Sequence, residues 1–496
     1  MSDLASLDHL QRRLALGWAA NLPGSGTQHV VVVLPSFGVG ESLLAHYGAR
    51  TTAMEHRYLV VLVMLARLPD VRLLFVFSVR PEPAAVEHYL SLLPEPVRRD
   101  ARDRVTILGL DDARPLSVAT KLLGRPELLD EVRRACAGRP AMIEPWNVTV
   151  AEVAVAQAID VPIFGTLPEL WSLGFKSSGR RLFAEAAVPL PLGTEDVTDL
   201  DGVLGATARI VATHPSAAGV VVKHDDSGAG DGNLVIRFDG GQDPMEQVRR
   251  AWARVPEWYA TDLRSGGVVE ELLDGRRHTT PSAQVDLQPD GTVVVQATHE
   301  QLVGGDNGQV FLGCRFPADR EYAGRLGEYA ASVGHVLAAR GCRGRAAVDF
   351  VATRDAGPNA ADWDLRALEV NLRKGGTTHP YSALRNLVPG RYDVEAGRWR
   401  SDADGSARCY TATDNLVSPA WLNLPVADVL EATRAAGLHF DRDRGTGVVL
   451  HMLSGLAIDG RCGLTAIGRT PDEADELLER TRAVLDALAA PPLSPQ

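Results

Sequence analysis

The chain is predicted to be a mixed α/β protein, with a doubly wound β/α domain ahead of an α+β core and a mixed C-terminal extension. Three observations predict this. Apolar runs at His29–Phe37, Arg72–Val79, Arg104–Leu110 and Pro140–Pro145 alternate with helical stretches; the pattern changes near Leu167 to hairpin-like pairs; and the 496 residues exceed what one core holds. Continuous apolar strands between helices mark a parallel sheet covered on both faces. Chains beyond about 250–300 residues divide into several packed units. The expected divisions are 1–165, 166–390 and 391–496.

In the first division, HVVVVLPSF is a buried strand leading into a turn, and Met54 to Leu68 is a helical apolar stretch. Two further strands follow, then PAMIEP, a helix near Thr149–Ile159, and a last strand at Val161–Thr166. Phe37-Gly38-Val39-Gly40-Glu41-Ser42 partly matches a dinucleotide fingerprint. Its third glycine is missing and no acidic residue ends a clear second strand about 20 residues on, so no such site is expected. P-loop and nucleophile-elbow motifs are absent as well.

In the second division a basic helix, Lys176–Val188, precedes a strand, a glycine-rich turn and a return strand over Val220–Phe238. Gly266–Gly275, Ser282–Gln288 and Gly291–Gln301 read as further antiparallel strands. Gly344–Thr353 and Asp364–Gly376 form another pair, with residues 355–363 as the turn. The tail closes on an amphipathic helix, Pro471–Leu488.

Composition narrows the function classes. Hydrophobic residues make up 45% and charged residues 23%, a soluble globular balance. The net charge of −12 argues against a nucleic-acid partner, which asks for a basic surplus. No apolar run reaches the roughly 18 residues of a membrane span, and the start lacks a signal-peptide pattern. Five scattered cysteines suggest reduced thiols and a cytoplasmic setting.

Four patterns carry chemistry. Lys176 stands before a basic helix, and Lys223 ends an apolar strand just ahead of Ser227–Gly232, Ser-Gly-Ala-Gly-Asp-Gly. Lysine supplies a point charge for phosphate oxygens, and glycines such as Gly228, Gly230 and Gly232 let backbone N–H groups approach them. A flexible hairpin would look the same. Val268-Val269-Glu270-Glu271-Leu272-Leu273 places two carboxylates among apolar residues at a strand exit. Such an exit can offer an adenine an acceptor, a backbone N–H and apolar walls; a solvated turn is the plain alternative. Asp349, in Ala-Val-Asp-Phe, and Glu369 and Asn371, in Leu-Glu-Val-Asn, would converge if their strands pair, because residues i and i+2 share a face. Two carboxylates and an amide oxygen are hard ligands suited to Mg²⁺. Beyond them, Arg373 and Lys374 precede Gly375-Gly376 and can hold an acyl phosphate or carboxylate, as could a simple solvated turn.

In this order the residues resemble the ATP-grasp superfamily over about residues 1–390. The resemblance implies ATP held by Lys176, Lys223, Ser227, Gly228, Gly230 and Gly232, with Glu270 or Glu271 and Leu273 at the adenine. It implies metal ligation by Asp349, Glu369 and Asn371, with Mg²⁺ as cofactor and Mn²⁺ as a substitute. The run Leu-Glu-Val-Asn-Leu-Arg-Lys-Gly-Gly-Thr-Thr-His-Pro and the tail segment Gly447–Leu453 look like the bacterial peptide ligases of the pheganomycin type. There a guanidino-bearing arylglycine acid is joined to the amino end of a peptide during antibiotic biosynthesis. The implied activity is formation of an amide from a carboxylic acid and a peptide or amino-acid amine, through an acyl phosphate, with Arg373 and Lys374 catalytic. No nucleic acid or membrane partner is implied, and there is room for a homodimer. An ATP-grasp kinase or carboxylase, or a nucleotide-binding regulator, would share the ATP site. Two features depart from the pattern. Where many members carry a ribose-binding acid, this chain has Arg276-Arg277-His278, and an insertion at Arg354–Trp363 lengthens the gap from Asp349 to Glu369. A base for the amine is not obvious; His379, His299 and Glu300 are the candidates.

Overall fold

The computed structural model describes residues 4–227, 232–273, 277–304, 310–354 and 362–490. Its first sheet holds β1 (His29–Leu34), β2 (Val71–Phe77), β3 (Val105–Gly109) and β4 (Ala141–Pro145), all parallel, in the order β3-β2-β1-β4. All six residues of central β1 are buried, as its unbroken apolar run requires. The helix Val150–Ile159 starts on a capping box in which Glu152 accepts from Thr149 N at 2.7 Å.

Two segments differ from the sequence reading. Val161–Thr166 forms no strand and touches the sheet through a single bridge, Ile163 to Ile143; Pro162 has no N–H to extend a ladder. The apolar stretch from Met54 divides into an α-helix, Arg50–His56, and a 3₁₀ helix, Arg57–Ala66. Val60, Val61 and Val63 lie in the second part, where β-branched side chains disfavour α geometry.

A second, smaller sheet contains β5 (Gly193–Thr194), β6 (Gly219–His224), β7 (Asn233–Arg237) and β8 (Gly267–Glu271) in the order β5-β8-β6-β7. Period-2 alternation in β6 buries Val220 and Val222 in a core and turns Val221 and Lys223 toward a cleft.

The third sheet has eleven strands. They are β9 (Arg277–Thr279), β10 (Pro281–Leu287), β11 (Val293–Gly304), β12 (Val310–Phe316), β13 (Gly344–Arg354), β14 (Asp364–Asn371), β15 (Gly390–Asp393), β16 (Arg398–Ser401), β17 (Ala407–Val417), β18 (Gly447–His451) and β19 (Arg461–Gly468). Its main path runs β14-β13-β10-β11-β12-β17-β16-β15, with β9 on β13 and the β18–β19 pair on β17. The C-terminal strands thus extend the central sheet through the β12–β17 ladder. The helix Ala323–Ala339 covers β10 and β11, and Pro471–Ala489 covers β17 and β19. All five cysteines are buried and free, and no described helix is long and apolar enough to cross a membrane.

Past the end of β2, Ser78 donates from N and Oγ to buried Glu55 at 2.8 and 2.7 Å, and Lys121 Nζ donates to Ser78 Oγ at 2.6 Å. Burial pushes the Glu55 carboxyl up to about 7, against the Ser78 hydrogen bonds and Lys121, which pull it down. The folded chain therefore keeps a proton that the unfolded chain releases near its ordinary pKa of 4.5. Stability present below that value is lost as pH rises through about 7, on the order of 3 kcal/mol in all. Glu55→Gln should flatten the unfolding free energy, measured in urea, between about pH 5 and 7.5. An unchanged slope would contradict the assignment.

Candidate active site

A cleft of about 1710 Å³ takes its walls from the second and third sheets and from segments that follow β1 and β4 of the first. On one wall β13 and β14 pair antiparallel with Asp349 directly opposite Glu369 and Ala347 opposite Asn371. The alternate residues Val348 and Val370 are buried in the core beneath, so Asp349, Glu369 and Asn371 all face the cleft. Asp349 Oδ1 accepts from Gln301 Nε2 and its Oδ2 from Asn371 Nδ2, each at 2.9 Å. Burial, and then the neighbouring Glu369 carboxylate, push the Asp349 carboxyl up to about 6. The donor set consists of hard oxygen atoms held close together in a poorly solvated place, which fits a divalent cation such as Mg²⁺.

Both lysines line the same cleft. Lys176 is the first residue of the helix Lys176–Glu185; its Nζ donates to Ser227 O at 2.7 Å and stands 3.7 Å from Glu369 Oε1. Ser177 N and Oγ donate to Asp225 Oδ1 at 2.8 and 2.7 Å, clamping the helix start to the end of β6. Ser227 Oγ donates to His224 O at 3.0 Å. Gly232 has φ of +82°, and a Cβ there would meet His224 Nδ1 at 2.9 Å, so the return into β7 requires glycine. Gly228 and Gly230 lie outside the described residues.

The strand exit differs from its sequence reading. Glu270 does not present a free acceptor: its Oε1 takes Arg180 Nη1 at 2.6 Å and its Oε2 takes Lys223 Nζ at 2.5 Å. Burial alone would raise this carboxyl, but Lys223 and Arg180 hold it below the usual range. Glu271 accepts from Leu192 N at 2.9 Å and pairs with His214 Nδ1 at 3.0 Å. Leu272, Leu273 and His278 line the cleft just beyond.

Arg373 and Lys374 part company. Arg373 lines the cleft, with its guanidinium 4.8 Å over the Trp146 ring, and has no carboxylate within ion-pair distance among the described residues. Lys374 points into the interior, where its Nζ pairs with Glu144 Oε1 and donates to Pro145 O, both at 2.5 Å. Its expected catalytic role is therefore corrected to a tie between the end of β14 and the end of β4.

None of the three candidate bases lines the cleft. His379 and His299 are buried, and burial pushes each imidazole down to about 3; Glu300 is taken up by Tyr322 and by Asp319 N at 3.0 Å. His379 Nε2 and His451 Nε2 both contact Asp414 Oδ1, at 3.0 and 2.7 Å, while Arg57 Nη1 takes Asp414 Oδ2 at 2.5 Å. Burial would raise the Asp414 carboxyl, yet the hydrogen bonds from His379 and His451 and the Arg57 guanidinium pull it well below the ordinary range.

Sequence reasoning missed the walls supplied by the two ends of the chain. Phe37, Gly38 and Gly40 line the cleft, with Gly38 N donating to Asn147 Oδ1 at 2.9 Å and Asn147 Nδ2 to Gly38 O at 2.7 Å. Arg50, Arg57, Trp146, Asp414 and Arg461 join them. The Gly38–Gly40 turn after β1 was the available signal, since open α/β sheets bind ligands beyond the carboxyl ends of their strands.

The profile of the PGM1 C-terminal domain matches residues 428–481. The L-propargylglycine–L-glutamate ligase of Streptantibioticus cattleyicolor is 33% identical over 439 residues, covering 84% of this chain and 86% of that protein. Among solved structures, the biotin carboxylase of Campylobacter jejuni in complex with β,γ-ATP has a TM-score of 0.55 at 13% identity, covering 93% of this chain and 95% of that one. The biotin carboxylase domain of Hydrogenobacter thermophilus 2-oxoglutarate carboxylase, solved with MgADP and bicarbonate, has a TM-score of 0.52 at 13% identity, covering 93% and 90%. These two are likenesses of fold.

Removing the charge at the centre of the Arg180–Glu270–Lys223 triad leaves buried cations without a counter-ion. Glu270→Gln should therefore cost about 3 kcal/mol of unfolding free energy in urea. A loss below about 1 kcal/mol would show that the triad is not buried as described.

Proposed function

The chain belongs to the ATP-grasp carboxylate–amine ligases, and on that premise we propose that it uses Mg-ATP to join an amino-acid-like acid to the amino group of an amino acid or peptide. The observation that carries this is the convergence of Asp349, Glu369 and Asn371 in one cleft with Lys176 and Lys223. The relative from Streptantibioticus cattleyicolor is named for joining two amino acids, which favours amide formation over phosphorylation or carboxylation. The pheganomycin-type resemblance suggests a guanidino arylglycine acid as donor and a peptide natural product as the outcome.

Lys176 and Lys223 hold the phosphate oxygens, with Ser227 beside Lys176. With both hinge carboxylates engaged by protein partners, the backbone at Leu272–Leu273 meets the adenine edge. Asp349, Glu369 and Asn371 would hold Mg²⁺; the carboxamide nitrogen of Asn371 is used by Asp349, which would leave its oxygen as the ligand atom. When bound, the ion supplies charge neutralisation for the polyphosphate. The donor carboxylate attacks the γ-phosphorus, the bond to ADP breaks, and an acyl phosphate forms. The neutral amine then attacks the acyl carbon, the C–O bond to phosphate breaks, and phosphate leaves carrying the amine's proton as the amide forms. Arg373, poised over Trp146 without a carboxylate partner, takes the acyl oxygens as charge develops. Catalysis here is positioning and charge neutralisation, so no protein base is required if the amine arrives uncharged.

Two substitutions test the roles separately. Glu369→Gln should lower acid- and amine-dependent ADP release at least about a hundredfold while the unfolding midpoint holds; near-normal turnover would remove the metal assignment. Lys223→Ala should raise the dissociation constant of an ATP analogue about tenfold or more, read by fluorescence titration; unchanged affinity would remove the phosphate contact.

A further inference from the structure

Positive charge exceeds negative at the end of the cleft walled by the helix Arg50–His56, β17 and β19. Arg50, Arg57 and Arg461 line this end, and Arg373 lines the cleft beside β14. Arg57 is cancelled by Asp414 at 2.5 Å. Arg50 Nε and Arg461 Nε share one oxygen, Asp459 Oδ2, at 2.9 and 3.2 Å. Arg373 has no carboxylate partner among the described residues. Asp349 and Glu369 act on the Arg373 charge, and the ligase reading uses Arg373 for the reacting carboxylate. Arg50 and Arg461 together carry one charge more than Asp459 cancels, and that charge has no role in the acyl-transfer step.

That charge is fixed in place. Arg461 is only 18% exposed, and its Nη1 donates to Asn415 Oδ1 at 2.5 Å, which aims the guanidinium. Two guanidinium forks sharing one carboxylate oxygen keep donors free for a second planar anion. One surplus charge matches one carboxylate, whereas a phosphate would bring nearly two. The wall is built from the helix Arg50–His56 and β19, whereas Lys176 and Lys223 stand on the helix Lys176–Glu185 and on β6. A group seated there belongs to a substrate other than the nucleotide, and the ligase reading makes it the acceptor.

We propose that Arg50 and Arg461 bind a free carboxylate on the acceptor, so that the acceptor class is an amino acid or short peptide with an unblocked carboxyl group. This inference rests on the ligase reading and narrows its substrate. An amine lacking a carboxylate would leave two arginines facing an apolar or amide surface and would bind poorly.

The test is calorimetric titration of the full chain with Mg²⁺ and a non-hydrolysable ATP analogue. L-glutamate, L-alanine and glycylglycine are each compared with the matching carboxamide. Binding of the analogue is measured first, because its failure would overturn the ligase reading and the inference with it. With the analogue bound, at least one acid should bind about tenfold or more tighter than its amide, as a charge-assisted pair implies. Arg461→Gln should reduce that preference to about threefold or less with analogue affinity unmoved. Arg50→Gln, on a half-exposed helix position where folding is insensitive, should do the same. Equal binding of acids and amides, or a preference that survives both substitutions, would overturn the proposal.

Discussion

Asp349 and Glu369 stand face to face in the β13–β14 ladder. Directly opposed side chains in an antiparallel pair sit about 4.5–5.5 Å apart at Cβ, where like charges repel. Burial first, and then the Glu369 carboxylate opposite, raise the Asp349 carboxyl. A sheet of ordinary stability would replace one of the pair with a neutral residue. Retaining both makes sense where a cation joins them, and the remaining features of the cleft are arranged around that demand.

The surrounding architecture brings opposite charges to the same place from distant parts of the chain. Lys176 enters from the helix after the first sheet, and Lys223 from the small sheet. Each keeps a resident anion nearby: Glu369 at 3.7 Å for Lys176, and Glu270 at 2.5 Å for Lys223. The lysines are therefore aimed before any ligand arrives, which reduces the ordering cost of binding. Lys374–Glu144 and Arg57–Asp414 fasten the first sheet to the third, so the walls of the cleft share a common frame. Paired charges in these buried links favour one arrangement of the units over others, in keeping with the specificity that such pairs can confer.

Much of this was legible in the sequence where the signal is local. The unbroken apolar run of β1, the period-2 spacing of Glu369 and Asn371, and the lysine ending β6 each follow from neighbours a few residues apart. Lys374 misled because its partners, Glu144 and Pro145 O, come from a strand far earlier in the chain: Arg373 reaches the cleft and Lys374 the interior. Glu270 misled because its partner Arg180 comes from a helix 90 positions earlier. Arg57 and Asp414, 357 positions apart, carry no mutual signal in a single sequence. The C-terminal part read only as a mixed extension because the pairing of its strands with β12 depends on tertiary registry rather than on any local pattern.

The most direct measurement is anomalous scattering from Mn²⁺ in crystals grown with a non-hydrolysable ATP analogue. A peak should appear within about 2.0–2.3 Å of oxygens from Asp349, Glu369 and Asn371, with the polyphosphate against Lys176 and Lys223. Metal density elsewhere in the cleft, with Asp349 and Glu369 left without it, would contradict the account.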